Sequence, residues 1–263
     1  MFVGEKLTVE AIKRGLPTRL IGRRVIVYPR IGSTNDEAKR LAEAGEPEGT
    51  LIIADEQTAG RGRLQRLWWA PAGTALLMSL IFRPDLAPHQ AQRLTMLCSL
   101  AICEAIAGTT GLAPVVKWPN DVLLRGRKVC GILTELGFEG PRLTYAVVGM
   151  GINVNVDFSG AGELASTATS LAQELGHEVS RLELLRAILV DIDERYTRLR
   201  TGKSPHAEWA ARLATTGQRV VVTTPGEQLC GVAEGVDDDG ALLLRDENGL
   251  LRRILAGDVT LRT

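Results

Sequence analysis

The stretch Gly60-Arg61-Gly62-Arg63-Leu64-Gln65-Arg66-Leu67-Trp68-Trp69 gathers three guanidinium groups, two glycines and two indoles. Glycine lets a backbone come close to an anion with no side chain in the way. Arginine offers a planar fork matched to phosphate and carboxylate oxygens, and an indole can stack on a flat base. The combination describes a flap that closes over a nucleotide. A solvated basic loop or a nucleic-acid contact has the same composition. Lys117-Trp118-Pro119-Asn120-Asp121 and Lys128-Val129-Cys130-Gly131 form a second group. Adjacent Asn and Asp oxygens at a strand-to-turn corner suit a hard cation such as Mg²⁺, and the flanking lysines can neutralise phosphate and carboxylate. Asn-Asp after Pro is equally a common turn.

Gly149-Met150-Gly151-Ile152-Asn153 reads as a strand with small residues where a ligand lies against the backbone. It lacks the third glycine and following helix of a dinucleotide fingerprint. Gly202-Lys203-Ser204 resembles the end of a phosphate loop, but Thr197 stands where the first glycine is required, which leaves a surface turn. No Ser-His-Asp set and no single reactive cysteine presents itself, so the chemistry needs no protein nucleophile.

These groups need a scaffold. Residues 25–28 read as a strand. Thr34 with Glu37 forms a capping-box pattern that opens a helix, with Ala38, Leu41 and Ala42 on one face and Gly45 as its stop. Residues 51–54 and 76–82 read as buried strands, the second closed by Pro84. Residues 57–73 between them are neither helix nor strand, and long irregular segments in domains tend to be functional. Leu94, Leu97, Ala101, Ile102 and Ala105 give an amphipathic helix. Four strand-like segments follow around Val115, Val122, Ile132 and Val147, then a helix over about residues 181–200. After Gly217 the texture changes to short strands at 220–222, 229–232, 242–244 and 251–255, which suggests a small barrel or sandwich. The division is an α+β domain over residues 1–217, with 1–24 linker-like, and a β module over 218–263.

Bulk properties narrow the function. Lys+Arg and Asp+Glu are both 31, so the net charge is zero and phosphate affinity must come from a local cluster. A nucleic-acid binder would carry a basic face. No apolar run reaches membrane-spanning length, and residues 1–15 lack the layout of a secretory signal. Four cysteines without a C-x-x-C pair and three scattered histidines give no zinc or haem pattern. The cysteines read as reduced core residues of a cytoplasmic protein.

Taken in order, Ser33-Thr34-Asn35, Gln57, residues 60–68, 117–121, 128–131 and 149–153 resemble the biotin–protein ligase family, and the resemblance runs from about residue 25 to the end. It implies a mixed β-sheet catalytic domain of the biotin/lipoate ligase type with a C-terminal SH3-like β-barrel. It also implies a two-step reaction. The biotin carboxylate attacks the ATP α-phosphate to give biotinyl-5′-AMP and pyrophosphate; a lysine of a biotin carboxyl carrier protein, such as that of acetyl-CoA carboxylase, then takes the biotinyl group. ATP and biotin are substrates and Mg²⁺ accompanies ATP.

By this resemblance Ser33, Thr34, Asn35 and Gln57 bond the biotin ring system, with Gly62, Gly131 and Gly151 as its small-residue surroundings. Arg61 and Arg63 hold the flap against biotin. Arg63 and Lys128 are the catalytic pair, at the adenylate and at the biotin carboxylate. Arg66, Trp68, Lys117, Asn120, Asp121 and Asn153 bind ATP or the adenylate, with Trp68 on adenine and Asp121 as the magnesium ligand. A side-by-side homodimer is implied as well.

Two departures stand out. Many relatives have Arg-Gly where this chain has Leu64-Gln65, although a Leu-Asn variant also occurs. Only 32 residues precede Ser33, too few for the winged helix-turn-helix of repressor relatives, so no DNA partner is expected. Lipoate and octanoyl transferases share the fold; the Gly-Arg-Gly-Arg flap followed by Trp, with Lys-Trp-Pro-Asn-Asp, favours biotin.

Overall fold

The eight residues of Ala75–Phe82 are buried at every position, as an uninterrupted apolar run demands when both sheet faces are covered. A computed structural model describes residues 6–224 and 226–261. Residues 1–5 of the linker-like segment, and residues 225, 262 and 263 of the β module, lie outside the described residues. In chain order the first unit holds α1 (Val9–Lys13), β1 (Val25–Tyr28), α2 (Thr34–Glu43), β2 (Leu51–Ala54), β3 (Ala75–Phe82), α3 (Gln92–Thr110), β4 (Val115–Lys117), β5 (Asp121–Leu124), β6 (Arg127–Glu139) and β7 (Arg142–Asn153). Helices α4 (Leu164–Thr167), α5 (Leu171–Leu175), α6 (Arg181–Arg200) and α7 (His206–Ala211) follow.

The seven strands run β1-β2-β3-β7-β6-β5-β4. The sheet is mixed: β1 and β2 are parallel, and the other pairs are antiparallel. Register decides what the sheet can bind. Ser79 lies opposite Gly149, and Gly149 opposite Leu133. Two residues along, Leu77 lies opposite Gly151, and Gly151 opposite Gly131. Because side chains alternate across a strand with period two, both rows share one face, and the glycines hollow it out. The opposite face carries Met78, Leu80 and Phe82 into the main core with α3 and α6; Phe82 meets Tyr196 edge-on at 4.8 Å.

Two local expectations are corrected. Helix α2 is capped by Ser33, with no side-chain capping bond, and Thr34 is already helical. The proposed box partners are engaged elsewhere, Thr34 with Gln57 and Glu37 with Tyr28 and Arg40. Helix α3 is not amphipathic. Twelve of its 19 residues are buried, because it lies between the sheet and α6, and a helix covered on several sides is apolar on all of them.

The second sheet is antiparallel: β8 (Arg219–Thr223), β9 (Gln228–Val236), β10 (Leu242–Asp246), β11 (Leu251–Ile254) and β12 (Asp258–Leu261), in the order β11-β10-β9-β8-β12. Sequence patterning missed β12, four residues that open on an acid and pair with β8. Trp118, only 1% exposed, joins the two units: its indole N–H donates to the Gly240 carbonyl at 2.8 Å. Among the described residues no helix is long and apolar enough to cross a membrane.

Candidate active site

A cavity of about 230 Å³ opens over the glycine rows. Glycine is required there by close approach. A Cβ on Gly149 would come within 2.0 Å of Asn35 Oδ1, and one on Gly151 within 2.5 Å of the Trp68 ring. Gly131 is nearly as tight, with Lys128 and Trp68 atoms 3.0 Å from its Cβ position. One face of the Trp68 indole therefore covers the small-residue wall. The Lys128 ammonium lies 5.4 Å from the ring centroid, within cation–π range.

One end of the cavity is polar and uncharged. Gln57 Oε1 accepts from the Thr34 backbone N–H at 2.7 Å and lies 2.9 Å from the Thr34 hydroxyl. Ser79, fully buried beneath them, places its hydroxyl 2.8 Å from Thr34 Oγ1 and 2.6 Å from Asn35 Oδ1. Asn35 Nδ2 donates to Glu135 Oε2 at 2.8 Å and to the Leu133 carbonyl at 3.3 Å. Asn35 thus braces the wall with its whole amide, and Thr34 and Gln57 face the cavity above it.

The flap is a hairpin. Arg61 and Leu67 form a bridge, Gly62 N–H donates to the Arg66 carbonyl at 2.7 Å, and Trp68 N–H to the Gly60 carbonyl at 2.9 Å. Its tip is a 3₁₀ turn over Arg63–Gln65, with Leu64 at φ 53° and Gln65 at φ 58°. Left-handed backbone costs a non-glycine residue roughly 1 kcal/mol, and Leu64 is 64% exposed, so little packing offsets it. A glycine at either position would remove part of that cost.

Arg61 clamps the flap base to α2 through two hydrogen bonds to Asp36, with Glu135 also 3.7 Å away. The Arg61 hydrogen bonds hold the Asp36 carboxyl below the usual carboxylate range. A depressed carboxyl contributes to the contact above its free value and loses that contribution only as pH falls through the lowered one. Flap fluorescence from Trp68 and Trp69 is therefore expected to hold steady down through the ordinary carboxylate range and change only below it. In Asp36→Asn the changed signal should already be present at neutral pH. An identical acid titration for both proteins would refute the clamp.

The other end is cationic. Lys128 Nζ is 2.6 Å from Asp121 Oδ1. Arg63 donates to the Gly257 carbonyl at 3.1 Å and to Asn120 Oδ1 at 3.3 Å, and its guanidinium is 3.7 Å from Asp258. Arg66 reaches Asp258 Oδ2 at 2.5 Å, but poorly directed, so that buried oxygen has no aligned hydrogen bond. Burial lowers the pKa of Arg63, and also that of Lys117, which feels the charges of Asp121 and Lys128. Four cations thus share this end with two carboxylates, a surplus suited to a polyphosphate. Among the described residues no cluster of three or more His, Cys, Asp or Glu could hold a metal. One carboxylate fits magnesium only as the companion of nucleotide phosphates.

Of the residues singled out from sequence, Ser33, Thr34, Asn35, Gln57, Arg61, Gly62, Arg63, Arg66, Trp68, Asn120, Asp121, Lys128, Gly131, Gly151 and Asn153 all line this one cavity. Lys117 does not, and reaches the cationic end only through its charge. Asn153 is 3% exposed and donates to the Thr169 carbonyl at 3.1 Å. Sequence reasoning missed Asp258, which lines the cavity from β12, and the braces Ser79 and Glu135. A polar serine inside the apolar run 75–82 was the available sign of Ser79.

Site and fold together define a single cavity with a neutral polar end and a cationic end suited to an organic anion. The Biotin/lipoate A/B protein ligase family matches residues 27–153, and the Biotin protein ligase C terminal domain matches residues 215–262. The chain is 35% identical over 259 residues to the "Biotin--[acetyl-CoA-carboxylase] ligase" of Mycobacterium tuberculosis (strain ATCC 25618 / H37Rv), covering 94% of each chain. It is 38% identical over 261 residues to the "Bifunctional ligase/repressor BirA" of Bacillus subtilis (strain 168), covering 97% of this chain and 79% of that one. The structure of "Biotin protein ligase from Aquifex aeolicus in complex with biotin and ATP" superposes with a TM-score of 0.78 at 30% identity, over 91% of this chain and 99% of the other. The chain belongs to the biotin/lipoate A/B protein ligase family.

Proposed function

We infer that the chain is a biotin–protein ligase, which activates biotin with ATP and transfers it to a lysine of a biotin carboxyl carrier domain such as that of acetyl-CoA carboxylase. The observation that carries this reading is one cavity with an uncharged polar end at Ser33, Thr34 and Gln57, a cationic end at Arg63, Arg66 and Lys128, and no histidine or cysteine among its described lining residues. Both attacking groups then come from substrates, and the protein supplies placement and charge neutralisation.

The ureido ring lies against Ser33, Thr34 and Gln57, beside the Gly131 and Gly151 wall, with Asn35 bracing it. The carboxylate points toward Lys128, which leaves Asp121 for the incoming anion. As the carboxylate oxygen bonds to the α-phosphorus, the bond to the pyrophosphate oxygen breaks, and Lys128 and Arg63 neutralise the developing charge. Arg66, with Lys117 behind it, attracts the departing phosphates. Trp68 and Asn153 bound the adenylate. Asp121, beside Asn120, would hold a magnesium ion accompanying ATP, which would supply further neutralisation of the phosphates. In the second step the carrier amine attacks the acyl carbon, loses a proton and expels AMP.

We further propose that residues 1–217 and 218–263 are two domains, the second an SH3-like barrel. On this proposal the protein is a cytoplasmic homodimer without a DNA partner, in keeping with four free thiols and zero net charge. Sedimentation and a gel shift test these last points: a monomer, or a sequence-specific DNA complex, would refute them. ATP–pyrophosphate exchange tests the main one. Exchange should require biotin; exchange supported by lipoate and not by biotin would overturn the assignment.

A further inference from the structure

Under the ring end of the cavity, three contacts run in a line: Asn35 Oδ1 to Ser79 Oγ at 2.6 Å, Ser79 Oγ to Thr34 Oγ1 at 2.8 Å, and Thr34 Oγ1 to Gln57 Oε1 at 2.9 Å. Both ends are amide oxygens, which only accept. Two hydroxyl hydrogens must therefore serve three contacts. Turning either amide over does not help. Asn35 Nδ2 already faces the Glu135 carboxylate and the Leu133 carbonyl, and Gln57 Oε1 faces the Thr34 backbone N–H, so a flip sets like against like. The line is one hydrogen short.

Where the two hydrogens go follows from the contacts. The shortest is to Asn35, an acceptor whose amide is polarised by Glu135, so it takes the Ser79 hydrogen. Ser79 then offers a lone pair to Thr34 and draws the Thr34 hydrogen away from Gln57. What remains toward the cavity is lone pairs on Thr34 Oγ1 and Gln57 Oε1.

We propose that Ser79 sets the ring specificity of this site, holding Thr34 and Gln57 as acceptors for a ring that presents N–H donors, as a cyclic urea does. Ser79 is 0% exposed and is not among the residues that line the cavity, so it is a positioning residue. Without its oxygen the Thr34 hydrogen settles on Gln57 Oε1, which already receives the Thr34 amide, and a ring N–H loses its acceptor. The inference rests on the reading that this end takes the biotin ring.

The test pairs Ser79→Ala with biotin and with the two cyclic carbamates in which oxygen replaces one ring N–H, all read by pyrophosphate exchange. One neutral hydrogen bond corresponds to roughly a tenfold change in affinity. In Ser79→Ala, KM for biotin should rise about that much, with kcat and KM for ATP unchanged. KM for the carbamate lacking the relevant N–H should stay put, so the preference for biotin over it falls by the same factor. Ser79→Thr, which keeps the hydroxyl, should restore the preference. Equal weakening of biotin and carbamates, or an unchanged preference, would overturn the proposal, because a merely structural serine acts on all ligands alike. Should Ser79→Ala fail to fold, a wild-type preference for biotin below about threefold over both carbamates overturns it still. Wild-type protein with no biotin-dependent exchange would instead sink the ligase reading itself.

Discussion

Arg63→Gly is expected to convert a ligase that retains its intermediate into one that releases biotinyl-5′-AMP. Arg63 is the flap residue that reaches inward, to Asn120 Oδ1, and across to the second sheet, through the Gly257 carbonyl and Asp258. Glycine removes the donor for developing phosphate charge and unfastens the flap tip together. Loss of one such preorganised donor costs about 10²–10³ in rate, so carrier biotinylation should fall by that order. Labelling of unrelated lysines should appear, read by streptavidin blot of a bystander protein. Tight retention of the adenylate in this variant would contradict the role.

Lys128→Met should be as damaging, but at the first step. Its ammonium is 2.6 Å from Asp121 and over the Trp68 ring, the cation nearest the place where carboxylate and α-phosphate meet in the proposed pose. Methionine keeps the stem that lies against Gly131 and removes only the charge. Pyrophosphate exchange should fall about 10²–10³-fold, with the melting transition little changed because the group is a third exposed. A fall in exchange of less than threefold would remove Lys128 from the chemistry.

Much of this was legible in the sequence because it lay in backbone demands. The 76–82 run, the glycines at 149 and 151 and the change of texture after Gly217 each state a local requirement, and each appears as a strand, a close contact or a new sheet. What could not be read depends on contacts between distant segments. Asp258 meets Arg66 only because β12 pairs with β8 at the mouth of the cavity. Ser79 and Glu135 meet Asn35 only through the register of β3, β7 and β6. Thr34 looked like a cap because helix-start residues usually are; here its hydroxyl oxygen lies between Gln57 and Ser79 instead.

The most direct measurement incubates the protein with ATP, biotin and an isolated biotin carboxyl carrier domain, and maps the product by mass spectrometry. One biotinyl group on one lysine of the carrier, dependent on ATP, is the expected product. A carrier left unmodified while a lipoyl domain is acylated with lipoate would contradict it.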